Sequence, residues 1–192
     1  AGKIAALNRG EIPIFEPDLD RLVETNVAAG RLTFTTDLKG PVSEADAVFI
    51  AVGTPSRRGD GHADLSYVYS AAHEVAGALS DSTVVVTKST VPVGTGDEVE
   101  RIIRAERKNI EAPVVSNPEF LREGAAVHDF KHPDRIVVGT DDERAREVMR
   151  EIYRPLHLNA SPIMFTDRRS AELIKYASNA FLATKITFII LL

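Results

Sequence analysis

The chain has 192 residues, with 23 Lys and Arg against 28 Asp and Glu, a formal charge of −5 and no cysteine. That length suits one ordinary domain that buries its own core, and 44% apolar with 27% charged residues excludes a disordered, collagenous or coiled-coil chain. The acidic balance argues against nucleic-acid or membrane-surface binding. The absence of Cys removes disulfides, thiolate-bound zinc and thiol catalysis from these residues, and fits a cytoplasmic setting.

In chain order, Ile4 and Leu7 mark one face of a short helix that Gly10 stops. A Pro-punctuated loop covers Glu11 to Pro17. Asp18 is placed to cap a second helix bearing Leu19, Leu22, Val23 and Val27, with Gly30 after it. Leu32 to Thr35 is a short strand candidate. Ala47 to Val52 is a continuous apolar run, as expected of a strand covered on both faces. A polar loop from Arg57 to Asp64 leads to a helix marked by Leu65, Val68, Ala72, Val75, Ala76 and Leu79. The predicted elements continue as strand (Thr83 to Thr87), helix (Asp97 to Lys108), short strand (Val114, Val115), strand (Arg135 to Gly139), helix (Asp142 to Tyr153) and strand (Ile163 to Phe165). A long helix begins near Asp167 and runs to the end.

Apolar, β-branched strands alternating with helices predict an α/β fold, a doubly wound, mostly parallel, Rossmann-like sheet. The boundary falls near Asp167, giving a domain over 1–166 and the start of a connecting helix over 167–192. Both ends read as cut from a longer chain, since the first residue is not Met and the apolar run Ile189 to Leu192 has no stop signal. The apolar tail from Phe181 to Leu192 contains Lys185 and is too short to span a bilayer.

Ligands of open α/β sheets bind beyond the carboxyl ends of the strands. Three predicted strands end in Gly53-Thr54-Pro55, Lys88-Ser89-Thr90 and Asn117-Pro118-Glu119. Singly these are turn residues; together they point to a ligand crevice. No GxGxxG occurs, and Gly59-Asp60-Gly61 is loop rather than phosphate fingerprint. Val93 to Gly96 precedes a helix and reads either as a helix-start turn or as an anion cradle. Arg57-Arg58 reads either as a phosphate contact or, better, as a solvated loop. His128 and His132 are four apart, but no third ligand points to a metal. Glu119, Arg122 and Glu123 share a short segment in which a carboxylate can act as general base, or in which Arg122 pairs with one of the two glutamates. Lys175 and Asn179 lie on one helix face, either solvated or set to stabilise an oxyanion.

Six stretches in order resemble the UDP-glucose/GDP-mannose dehydrogenase family: IPIFEPDL (12–19), AVGTP (51–55), KSTVPVG (88–94), SNPEFLREG (116–124), HPDRIVVG (132–139) and AELIKYASNAFLATKITF (171–188). The HPDR segment is closer to the UDP-glucose branch. The resemblance implies NAD as cofactor and a nucleotide sugar as substrate, UDP-glucose or a relative. It implies two successive oxidations of the sugar C6 alcohol to a carboxylate, through a thioester on a cysteine that these residues lack. By match, Thr90, Glu119, Lys175 and Asn179 are catalytic: Glu119 and Thr90 serve the hydrolytic water, and Lys175 and Asn179 the oxyanion. Lys3, Gly53, Thr54, Pro55, Thr90 and Glu123 contact the cofactor. Glu119, Phe120, Leu121, Arg122, Glu123, Lys175 and Asn179 line the sugar pocket. The family's first βαβ unit with its Gly-rich turn, its cysteine and its C-terminal domain fall outside these residues, so this piece alone is expected to be inactive. The last helix is expected to support a homodimer of the longer protein. The competing readings are a non-catalytic remnant or interaction module, and a dehydrogenase for UDP-N-acetylmannosamine or GDP-mannose.

Overall fold

The computed structural model describes residues 2–157 and 163–191. Three helices come first, α1 (Gly2–Asn8), α2 (Leu19–Ala28) and α3 (Lys39–Glu44). The alternating part follows: β1 (Ala47–Ile50), α4 (Ser66–Ala76), β2 (Val84–Thr87), α5 (Thr95–Glu106), β3 (Val114–Ser116), α6 (Ala126–Lys131), β4 (Ile136–Gly139), α7 (Glu143–His157), β5 (Ile163–Thr166) and α8 (Arg168–Leu191).

The five strands form one sheet in chain order. β1, β2 and β3 are parallel, and β4 and β5 are parallel to each other. The β3–β4 pair is antiparallel, in register at Ser116 and Gly139. The mostly parallel, doubly wound α/β fold expected from the alternation is therefore present. Side-chain alternation builds a core on each face. Val85 and Val114 turn toward α4 and α5, packing with Val68, Ala72, Val99 and Ile103. Val84, Val86 and Val115 turn the other way, with Ile136 and Val138, to meet Ala145, Met149 and Tyr153 of α7.

The chain differs from the sequence reading at several points. Leu32 to Thr35 forms no strand, because no described strand lies beside it to complete the ladder. β1 stops at Ile50 rather than Val52. Asp18 stands at the start of α2 but does not cap it: its backbone is left-handed (φ 65°) and its side chain makes no cap hydrogen bond. Its carboxylate pairs instead with Arg21 at 3.4 Å. The short helices α3 and α6 fall in stretches where the sequence pattern predicts no element. Buried Val42 anchors α3, and a distant glutamate, Glu16, holds the entry to α6, its carboxylate accepting the N–H groups of Gly124 (3.0 Å) and Ala126 (2.6 Å).

α8 leaves β5 beside the amino end of β3, where Arg168 donates to the Val114 carbonyl, and climbs the sheet next to α5. Gly139 allows the approach: a Cβ there would lie 2.6 Å from Ala171 Cβ. Over 24 residues α8 is long and apolar enough to cross a membrane by length and composition, more than the twelve-residue tail suggested. Ala171, Glu172 and Lys175 are buried in the domain, however. The segment from Phe181 to Leu191 spans about 16 Å at 1.5 Å per residue, roughly half a hydrocarbon core. Its apolar side chains are exposed, Ile190 at 77% and Leu191 at 80%.

Candidate functional site

β1, β2 and β3 present their carboxyl ends along one edge of the sheet, and the reversed β4 returns to that edge with its amino end. Asn117 follows β3 and joins the strands there. Its backbone N–H donates to the Thr87 carbonyl (2.9 Å) and its side-chain N–H to the Val137 carbonyl (2.7 Å). Its Oδ1 accepts from the Tyr153 hydroxyl (2.5 Å) and from Lys88 Nζ (3.3 Å). Pro118 and Glu119 continue from this buried junction into a cavity of about 560 Å³.

Six of the seven expected sugar-pocket residues line that cavity: Glu119, Phe120, Leu121, Arg122, Lys175 and Asn179. Lys175, only 8% exposed, places Nζ 3.1 Å from Glu119 Oε1 and 5.2 Å from the centre of the Phe120 ring. Glu119 Oε2 accepts the Leu121 N–H at 2.6 Å. Asn179 sits one turn beyond Lys175 on α8. The guanidinium of Arg135 covers Phe120 at 4.5 Å. The wall also includes Lys88 and Tyr153. Burial pulls the Lys88 amine down to about 8, against the raising effect of Glu119, and pushes the Tyr153 phenol up to about 12.

Arg122 pairs with neither glutamate. It holds Asp129 in a two-pronged contact at 2.9 and 2.7 Å, and its own N–H donates to the same carboxylate. That guanidinium keeps Asp129 far below the usual carboxylate range. Glu123 is exposed and outside the cavity wall. His128 and His132 stack with ring centres 4.8 Å apart, and no group of side chains among the described residues is arranged to hold a metal.

The Gly53-Thr54-Pro55 and Lys88-Ser89-Thr90 turns lie side by side, linked by a hydrogen bond of 3.0 Å from Thr54 Oγ1 to the Thr90 carbonyl and one of 2.7 Å from Ser89 Oγ to the Val52 carbonyl. Gly53 is exposed, and a Cβ built on it meets nothing within 4 Å. Bare backbone beside two strand ends fits a flat dinucleotide laid against it. Lys3 is exposed on α1, and no hydrogen bond or ion pair among the described residues joins it to these turns. The possible anion cradle at Val93 to Gly96 is taken by the protein itself. The carboxylate of Glu172, 3% exposed, accepts the N–H groups of Gly94 (2.7 Å) and Gly96 (2.8 Å) and the Ser116 hydroxyl (3.2 Å). Burial raises its pKa despite these bonds. Arg57 pairs with Asp60 in its exposed loop at 2.9 Å.

Sequence reasoning missed Glu16, Asp129, Tyr153 and Glu172. Lys88 was placed at the crevice as part of a strand end, but with no role of its own. Glu16 reaches a partner 108 residues away, which spacing alone does not reveal.

A mostly parallel sheet wound on both faces, with bare glycine backbone at its carboxyl edge and a cavity beside it, defines a dinucleotide-binding α/β domain. The chain belongs to the UDP-glucose/GDP-mannose dehydrogenase family: the NAD binding domain of that family matches residues 1–157. NAD is therefore its cofactor. Over 190 residues the chain is 72% identical to a UDP-glucose 6-dehydrogenase of Rhizobium meliloti, covering 98% of this chain and 44% of that protein. Among solved structures, a UDP-glucose dehydrogenase of the archaeon Pyrobaculum islandicum superposes with a TM-score of 0.91 at 43% identity, covering 97% of this chain and 43% of that one. A GDP-mannose dehydrogenase of Pseudomonas aeruginosa gives 0.91 at 36% identity, over 98% and 44%. The chain spans less than half the length of these relatives.

Proposed function

We propose that these residues are the NAD-binding part of a UDP-glucose 6-dehydrogenase, which oxidises UDP-glucose to UDP-glucuronate in two successive steps. The reading is carried by one observation: a nearly buried lysine, Lys175, faces the carboxylate of Glu119 at 3.1 Å in a cavity that Asn179 also lines. A desolvated ammonium beside an amide stabilises negative charge developing on a C6 oxygen. A carboxylate held by that ammonium and by the Leu121 N–H is aimed to orient and deprotonate a water.

In this reading Phe120, Leu121, Arg122 and Glu123 flank the sugar, and Thr90 sits between cofactor and water. Gly53, Thr54 and Pro55 offer the surface for the dinucleotide, and Lys3 and Glu123 reach it from outside. When bound, NAD+ supplies the hydride acceptor for each oxidation. The thioester-forming cysteine, by family resemblance, lies in the remainder of a longer chain, so residues 1–192 alone do not turn over. Residues 1–166 are the cofactor domain, and 167–192 begin the helix that links the halves and supports a homodimer. The setting is cytoplasmic, in the supply of uronates for polysaccharide.

The test is NADH formation by the full-length protein with UDP-glucose, UDP-N-acetylmannosamine and GDP-mannose. UDP-glucose should be preferred, with two NAD+ reduced per sugar. Preference for another nucleotide sugar overturns the substrate, and turnover of none overturns the dehydrogenase. UDP-glucose-dependent NADH formation by the 192-residue chain would refute the need for an outside cysteine.

A further inference from the structure

Lys88 is a half-buried cation that no carboxylate neutralises directly. Among the described residues no ion pair of 4.0 Å or less includes it; its hydrogen bonds go to neutral oxygens, Asn117 Oδ1 (3.3 Å) and the Tyr153 hydroxyl (3.2 Å). The Tyr153 ring lies 5.8 Å from Nζ. Withdrawing an ammonium even partly from water with only neutral partners is costly, and such costs gather where a site needs them. Both partners converge on Asn117 Oδ1, whose residue is already tied to β2 through the Thr87 carbonyl and to β4 through the Val137 carbonyl. Two residues further on stands Glu119, facing Lys175 across the cavity.

We infer that Lys88 is a positioning residue which, with Tyr153, locks Asn117 and thereby aims Glu119 at Lys175. Four elements meet in this clamp. β2 leads into Lys88, β3 leads into Asn117, β4 accepts its amide and α7 brings Tyr153. Lys88 does not contact Glu119 by hydrogen bond; it acts by fixing the root of the Pro118-Glu119 turn. Because Lys88 and Tyr153 share one acceptor atom, their contributions are coupled. The inference rests on the dehydrogenase reading for its kinetic readout and on geometry alone for its second readout.

The experiment uses the full-length protein with Lys88→Met, which keeps the length and apolar stem of the side chain, Tyr153→Phe, and the double variant. A misplaced catalytic group costs about 10- to 100-fold, so Lys88→Met should lower kcat by that factor and leave the KM for NAD+ within about twofold. Tyr153→Phe should fall less, and the double variant should fall no further than Lys88→Met. Hydrogen exchange at the Leu121 amide, which is bonded to Glu119 Oε2, should accelerate in Lys88→Met while amides of the β2 core stay protected. Unchanged kcat, losses in the two single variants that multiply in the double, or an unaltered Leu121 amide would each overturn the clamp. If the parent protein oxidises no nucleotide sugar, the dehydrogenase reading fails, and the Leu121 exchange still decides the clamp.

Discussion

Replacing Gly139 with Ala tests how closely α8 must lie on the sheet. The new Cβ would stand 2.6 Å from Ala171 Cβ, 2.8 Å from Arg168 Cα and 2.9 Å from the Asp167 carbonyl oxygen. Carbon atoms rest at about 3.5–4.0 Å, so the start of α8 must retreat by about 1 Å. Two of the three obstacles are backbone, and no rotamer change relieves them. Overpacking of this kind costs about 1–3 kcal/mol. The same retreat loosens Arg168 from Asp97, now at 2.7 Å. Urea unfolding should show a lower midpoint at unchanged slope. Gly53→Ala is the control, with nothing within 4 Å of the added carbon: it should stay within about 0.5 kcal/mol of the parent, while weakening NAD binding by occupying the bare surface beside β1. In the full-length protein Gly139→Ala should also depress turnover, because Lys175 rides on the displaced helix. A Gly139→Ala protein within about 0.5 kcal/mol of the parent, or an equal loss at Gly53→Ala, would refute the packing argument.

Three further outcomes follow from buried polar groups. Lys88 titrates near 8 in the folded chain against 10.5 for a free lysine. The unfolded chain therefore binds more protons above pH 8, and stability should rise from pH 8 toward 10, on the order of 3 kcal/mol if carried to completion. Above pH 10 the raised Tyr153 phenol reverses the trend, since the unfolded tyrosine ionises first; urea melts from pH 7 to 11 should show both limbs, and Lys88→Met should abolish the first. Thr87 buries a hydroxyl with no hydrogen-bond partner among the described residues, so Thr87→Val should stabilise by about 1 kcal/mol, read as a rise of roughly 2–4 °C in melting temperature. Glu172→Ala strands the Gly94 and Gly96 N–H groups and should cost about 2–4 kcal/mol in the same melts.

The sheet was legible because its strands are short β-branched runs such as Thr83 to Thr87, closed by small or hydroxylated residues. The clustering of Glu119 with Lys175 was legible only through resemblance, since 56 residues separate them. What escaped was set by distance along the chain or by direction. Leu32 to Thr35 has strand composition but no partner. Asp18 has the right type for a cap, yet a left-handed backbone turns its carboxylate to Arg21. Arg122 finds Asp129 because α6, too short to show a period, folds back toward it. Glu172 looked like one more charge on a mixed helix. Its burial depends on Gly139 and Gly96 leaving room for α8, a condition no local pattern records.

The reversal of β4 makes the stretch from Asn117 to Arg135 an excursion that departs from and returns to the same side of the sheet. A parallel connection must travel the full height of the domain, which fixes its minimum length. This one carries no such obligation. Its two roots are pinned by the pairing of Ser116 with Gly139 and by the Asn117–Val137 hydrogen bond, so residues can be added or exchanged between them without moving either strand. If the proposed sugar pocket holds, a library confined to this arm is the economical place to redirect its specificity.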